Sequence, residues 1–198
     1  MFDKKFSLNE IEFIQNLQQG NQQAFAELVE LYKNKIFNTA IGILQNEHDA
    51  EEITQEVFIE VFRSIKNFKN EATLSTWIYR IAVNKSLDFI RKSKRNKRFG
   101  IVVNLFKEET NEPIVHPKNF FHPGIALEKK EKSTILFAAI EQLNERQKTC
   151  FVLKHVEGLS QREISEVMQC AEGAVESMLS RAKENLRKIL GDYFDKNY

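Results

Sequence analysis

All three prolines of the chain, Pro113, Pro117 and Pro123, fall within one stretch of eleven residues. Proline has no backbone donor and interrupts a helix interior. Its confinement therefore leaves two long blocks in which helices can run unbroken. The segment NLFKEETNEPIVHPKNFFHPG around the prolines has neither a helical nor an alternating period. It reads as a flexible linker, placed at about residues 97–128. On either side apolar residues recur at helical spacing, and no strand-length alternation is found. The expected fold is all-α: two small helical domains, residues 1–96 and 129–198, joined by that linker. The pair Phe120-Phe121 is out of place in a free linker and is expected to pack on a neighbouring domain.

Helix starts are marked by capping residues. Ser7-x-x-Glu10 is a capping box, followed by a short helix with Ile11, Ile14 and Leu17 inward and Gly20 at its end. A second helix, about 21–44, carries Ala24, Phe25, Leu28, Leu31, Tyr32, Ile36, Ala40 and Leu44. Asn46 caps a third, about 47–66, with Ile53, Val57, Val61 and Ile65 in one stack. A fourth, about 73–95, turns Leu74, Trp77, Ile78, Ile81, Ala82 and Phe89 inward. Beyond the linker come helices at about 127–142, 145–156, a short one opened by the capping box Ser160-x-x-Glu163, and a last one at about 172–190. The closely spaced final pair fits a helix-turn-helix.

Composition excludes several classes. Two cysteines, Cys150 and Cys170, are too few for a disulfide framework and point to a reducing cytoplasm. No apolar run approaches the roughly 18 residues of a membrane span, and the N-terminus lacks a secretory signal. The net charge of +1 conceals a sharp division. Residues 21–62 hold 8 acidic and 2 basic side chains, whereas residues 63–98 hold 11 basic and 2 acidic. Such asymmetry predicts two different partners, the basic block being the candidate for a polyanion.

Three surfaces carry the candidate residues. On the fourth helix Arg80, Asn84, Asp88, Arg91 and Arg95 form one stripe; asparagine can pair bidentately with a base, and arginine neutralises phosphate. The loop before it sets Phe68 and Asn70 beside Lys66 and Lys69, and an exposed aromatic in a cationic loop suits stacking on an unpaired base. Trp77 reads as core. The acidic third helix exposes Asp49, Glu51, Glu52, Gln55, Glu56 and Glu60, leaving open a solvated face or a protein-docking surface. The four histidines and two cysteines show no metal-ligand pattern; His155 and Cys150 read as core. No Gly-rich phosphate loop or nucleophile elbow is present, so neither enzymatic chemistry nor a cofactor is expected. The last helix exposes Glu172, Glu176, Ser177, Ser180, Arg181, Lys183, Glu184, Arg187 and Lys188. It can hold phosphates with its basic residues and present its first turn to base edges, or be an ordinary amphipathic helix with i,i+4 charge pairs.

In order, DAEEITQEVFIEVFRSIKNF (49–68), STWIYRIAVNKSLDFIRKSKR (75–95) and LNERQKTCFVLKHVEGLSQREISEVM…GAVESMLSRAKENLRK (143–188) resemble three segments of the extracytoplasmic-function (ECF) sigma factors. These are promoter-recognition subunits of bacterial RNA polymerase. The resemblance implies that Asp49, Glu52, Gln55 and Glu56 dock on core polymerase. It places Phe68 and Asn70 in a loop that captures a flipped base. Arg80, Asn84, Lys85 and Arg91 fall on the helix that holds the melted minus-ten strand, and Glu172, Glu176, Ser177, Ser180, Arg181 and Lys183 on the helix that meets the minus-thirty-five element. An anti-sigma factor is implied as a further partner.

The chain departs from the family in places. Gln169-Cys170-Ala171 replaces the small turn residue and hydroxyl cap usual before the recognition helix, and Glu176 and Met178 stand where basic residues are common. Weaker or altered minus-thirty-five contact is expected. Asn144 takes the place of a usual proline. The rival readings are a helix-turn-helix regulator acting without polymerase and a relative that only sequesters polymerase or a regulator.

Overall fold

The computed structural model describes residues 6–104 and 130–197, and every regular element among them is helical. Phe120-Phe121 and most of the expected linker lie outside these residues. The order is α1 (Phe6–Gln18), α2 (Gln22–Leu44), α3 (Glu47–Ser64), a 3-10 turn (Ile65–Asn67), α4 (Leu74–Asn104), α5 (Lys130–Glu141), α6 (Glu145–His155), α7 (Gln161–Met168) and α8 (Glu172–Asn197). Two boundaries differ from expectation. α1 starts at Phe6, so Ser7 is not at the capping position. α4 continues to Asn104, into the stretch expected to be linker.

The caps account for most helix starts. Asn21 Oδ1 accepts from the backbone of Gln23 and Ala24, Asn46 Oδ1 from Asp49 and Asn144 Oδ1 from Gln147, each satisfying donors that a helix leaves unpaired. At α7 the capping box is complete: Glu163 N donates to Ser160 Oγ while Ser160 N donates to the Glu163 carboxylate. α2 ends on Gln45 in the left-handed region (φ 57), where the Gln45 amide nitrogen also donates to Gly42 O at 2.8 Å. α8 begins beside a residue that has no capping side chain, Ala171.

α1–α4 enclose one apolar core, with Leu28, Ile36, Ile53, Val57, Val61, Ile78 and Ala82 fully buried. Ile11 and Leu31, expected inward, are instead about half exposed (55% and 49%). Phe137, Ala139, Ile140 and Leu143 of the α5 region pack on Ala182 and Leu186 of α8. His155, expected in the core, is exposed and lies against the Phe151 ring.

The third cluster changes the picture of two domains on a string. Ile43 of α2 and Tyr79 and Val83 of α4 share a core with Cys150 and Leu153 of α6, Ile164 and Val167 of α7, and Val175 and Leu179 of α8. α4 has a second apolar stripe, Tyr79, Val83, Leu87 and Ile90, next to the one that faces its own domain. A helix apolar over that much of its circumference must be covered on two sides. α6 and α7 supply the second cover.

Candidate functional site

α3 is held on the first core by Ala50, Ile53, Val57 and Val61 at i,i+3/i+4 spacing, which leaves its opposite face to solvent. Glu51, Glu52, Gln55 and Glu56 are exposed there and Asp49 is half-buried. Glu47 and Asp49 in the first turn and Arg63 in the last complement the helix dipole. The acidic face continues into exposed apolar side chains, Ile59 and Phe62, and Phe62 meets Phe25 edge-to-face at 5.1 Å.

α4 brings the basic residues alongside. Asn84 is exposed with no hydrogen-bond partner among the described residues; Arg91 is exposed and paired with Asp88 at 2.8 Å. Lys85 is half-buried and its Nζ lies 3.4 Å from Glu56 and 3.7 Å from Glu60. A candidate nucleic-acid cation is thus shared with the candidate docking helix. Arg80 is also engaged: its Nη2 donates to the Glu166 carbonyl of α7 at 2.8 Å. The stripe from Arg80 to Arg95, expected to be exposed throughout, is interrupted at Arg80 because α7 packs over it.

Phe68 requires a correction. It is not an exposed stacking platform but belongs to the first core, with its ring 5.0 Å from that of Trp77. Gln18 Nε2 donates to the Phe68 carbonyl at 3.0 Å and fixes the loop from beneath. Spacing along a loop carries no periodic signal, which is why burial there was not legible. The loop still forms a recess: Asn67, Phe68, Lys69, Glu71, Ala72, Trp77 and Arg80 line an open cleft of about 420 Å³. Trp77, read only as core, is partly buried and also lines this cleft. Asn70 is exposed with φ 57, a conformation asparagine tolerates better than most residues.

In the helix-turn-helix, Val175, Leu179, Ala182 and Leu186 bury one face of α8. Glu172, Glu176, Ser177, Ser180, Arg181 and Lys183 are all exposed. The structure adds Arg146 to them. Arg146 is exposed in the first turn of α6, and with Asn144, Cys170, Ser177 and Arg181 it lines a groove of about 460 Å³. The sequence signal was its place two residues after the capping Asn144, at a positive helix end. Cys150 is buried with its Sγ 3.7 Å from the Val175 carbonyl, and burial pushes its thiol up to about 11. It is a packing residue rather than a nucleophile. Among the described residues no group of His, Cys, Asp and Glu is placed to hold a metal ion, and no helix is long and apolar enough to cross a membrane.

An acidic helix, a cationic helix with a cleft at its start, and a helix-turn-helix are thus present in one chain. Residues 28–96 match the Sigma-70 region 2 family and residues 133–186 the Sigma-70 region 4 family. The chain is 33% identical over 185 residues to the ECF RNA polymerase sigma factor SigW of Bacillus subtilis, covering 90% of this chain and 95% of that protein. The chain belongs to the ECF RNA polymerase sigma factors. The ECF RNA polymerase sigma-E factor of Haemophilus influenzae is 32% identical over 89% of this chain and 93% of its own length. The fold is shared with CnrH, solved in complex with the cytosolic domain of CnrY (TM-score 0.67, 20% identity, covering 92% of this chain and 97% of that one). It is shared equally with the sigma factor RpoE of Bartonella quintana, solved with the anti-sigma factor NepR (TM-score 0.65, 20% identity, 84% and 96% covered). This sigma factor acts in transcription initiation, with core RNA polymerase and promoter DNA as partners.

Proposed function

We propose how the labour is divided among the residues of this sigma factor. The first domain docks on core polymerase through Asp49, Glu52, Gln55 and Glu56. It holds the opened minus-ten strand on Arg80, Asn84, Lys85 and Arg91, with Asn70 and the Phe68–Trp77 cleft receiving an extruded base. The second domain meets the minus-thirty-five element through Glu172, Glu176, Ser177, Ser180, Arg181 and Lys183, with Arg146 as an added phosphate contact. Opening a duplex without nucleotide hydrolysis requires that unpaired bases find better partners on protein than in the stack. The observation that carries the reading is Lys85, whose ammonium joins the acidic face of α3 to the cationic face of α4. Polymerase docking and strand capture thereby share one rigid pair of helices.

The two structural neighbours extend the reading to a regulator: RpoE was solved with an anti-sigma factor and CnrH with the cytosolic domain of CnrY. An anti-sigma factor is proposed for this chain on that likeness. A non-catalytic role in the cytoplasm, where polymerase works, completes the proposal; both cysteines are free.

The test uses Asn84→Ala, which removes an exposed side chain and leaves the core intact. With core polymerase and promoter DNA, permanganate footprinting is expected to show at least tenfold less strand opening while polymerase binding persists. Unchanged opening would remove Asn84 from the site. In the same assay, wild-type protein that binds polymerase yet yields no discrete transcript starts would favour a sequestering role.

A further inference from the structure

The loop that carries the cleft has no regular element between the 3-10 turn (Ile65–Asn67) and the start of α4 at Leu74. Such a loop holds its shape only where donors from outside it satisfy its carbonyls. The donor here is Gln18, the last residue of α1. Its Nε2 donates to Phe68 O at 3.0 Å and to Ile65 O at 3.3 Å, across 50 and 47 residues of sequence. One amide group thus ties the 3-10 turn to the first residue of the loop, and uses both of its donor protons there. The side chain is itself held. Ile14 and Leu17 bury α1 in the same core as Phe68. The helix ends on Gly20 at φ 78, with Gly20 N and Asn21 N donating back to Leu17 O and Asn16 O. Gln18 is half-buried on that fixed helix end, and it lies ahead of residue 28, where the match to region 2 begins.

We infer that Gln18 is a positioning residue for strand capture: without touching DNA, it sets the backbone of the loop so that the Phe68–Trp77 cleft is shaped for an extruded base before DNA arrives. The inference deepens the proposed assignment of that cleft and rests on it. Five of the seven residues that line the cleft, at positions 67–69, 71 and 72, belong to the segment that Gln18 holds; Trp77 and Arg80 come from α4. The Phe68 ring lies 5.0 Å from that of Trp77, so a shift of the Phe68 backbone alters both sides of the recess. A base leaving the duplex gains most from a site already formed, because ordering the loop on arrival is subtracted from the affinity. Glutamine is suited to the task by its donors. A glutamate of the same length would have none, and would set a carboxylate against two carbonyl oxygens.

The test pairs a change in the protein with a change in the DNA. Holoenzyme is formed from core polymerase and this chain, wild type or Gln18→Glu. The probe is a promoter fragment from one of the protein's own mapped transcript starts, its minus-ten region held open by mismatches. An abasic site replaces each base of the captured strand in turn. Wild type is expected to lose at least tenfold in affinity at one position, that of the extruded base. Gln18→Glu is expected to bind the intact fragment at least fivefold more weakly, and to lose less than a further twofold at that position. At the other positions it should lose what wild type loses. Equal weakening on intact and abasic DNA is the mark of a merely structural effect and overturns the proposal, as does wild-type affinity for the intact fragment. Gln18→Met, which keeps the length and helix preference of glutamine without a donor, is the second variant should Gln18→Glu lower the thermal midpoint. A wild-type protein insensitive to every abasic site would remove the cleft as the receiving site, and the proposal with it.

Discussion

Ala171 is the residue whose replacement is most easily predicted. It precedes α8 without a side chain to accept from the first turn, and Val175 N and Ala174 N reach back only to its carbonyl, at 3.2 and 2.9 Å. Ala171→Ser is expected to stabilise the protein by about 1 kcal/mol, read as a higher urea midpoint at unchanged slope. Gln169, in the left-handed region at φ 51, is a poorer choice. Relief of about 1–2 kcal/mol of strain by glycine is offset by about 0.5–1 kcal/mol of added chain entropy. Phe68 shows the opposite case. Because it packs on Trp77 in the core, Phe68→Ala is expected to cost about 3–5 kcal/mol. Its effect on promoter opening would therefore report unfolding, and the measurement that checks this is the thermal midpoint of the free protein.

At the scale of elements, α3 and α4 were legible in different degrees. The stack Ile53, Val57, Val61 and the caps at Asn46 and Ser160 depend on residues three or four apart, and all are found as read. The outward faces follow from the same periodicity, which is why Glu52, Gln55, Glu56 and Asn84 are exposed as expected. Lys85 was not legible in the same way. Its partners Glu56 and Glu60 lie on another helix, and only packing could reveal that they neutralise it. Glu52→Lys reverses a charge on the exposed face without disturbing that pair. It is expected to weaken core-polymerase binding at least tenfold, measured by surface capture at fixed ionic strength, with helix content unchanged.

Across the whole molecule, the junction between the two domains sets apolar burial against polar atoms left unpaired. Burying Ile43, Tyr79 and Val83 contributes about 1.5–3 kcal/mol per side chain, and each polar atom buried unpaired costs about 1–3 kcal/mol. The exposed Lys94–Glu145 pair across the junction adds little. Glu157 makes the balance depend on pH. Burial raises its carboxyl above the ordinary value of 4.5, with the Tyr79 hydroxyl and Lys35 opposing the shift. Tyr79 is itself raised, first by burial and then by Glu157, Tyr32 and Glu163. A raised acid favours the packed junction most below its ordinary value and loses that contribution as pH rises through the higher one. The junction is therefore expected to loosen as pH climbs above about 4.5, seen as a growing radius of gyration. Glu157→Gln should flatten that dependence.

The all-helical class, the capped starts, the acidic and basic blocks and their outward faces were determined by the sequence alone. Each depends on residues within a helical turn or two, where backbone geometry leaves few alternatives. The burial of Phe68, the capture of Arg80, the pairing of Lys85 and the docking of α6 and α7 on α2 and α4 were decided only by the tertiary structure. The bonds Tyr79–Glu157 and Arg80–Glu166 join residues 78 and 86 positions apart. Periodicity shows that α4 has a second apolar stripe to cover, but nothing local specifies the partner. That choice is made by shape, at the one place on α2 where a glycine lets Val152 come close.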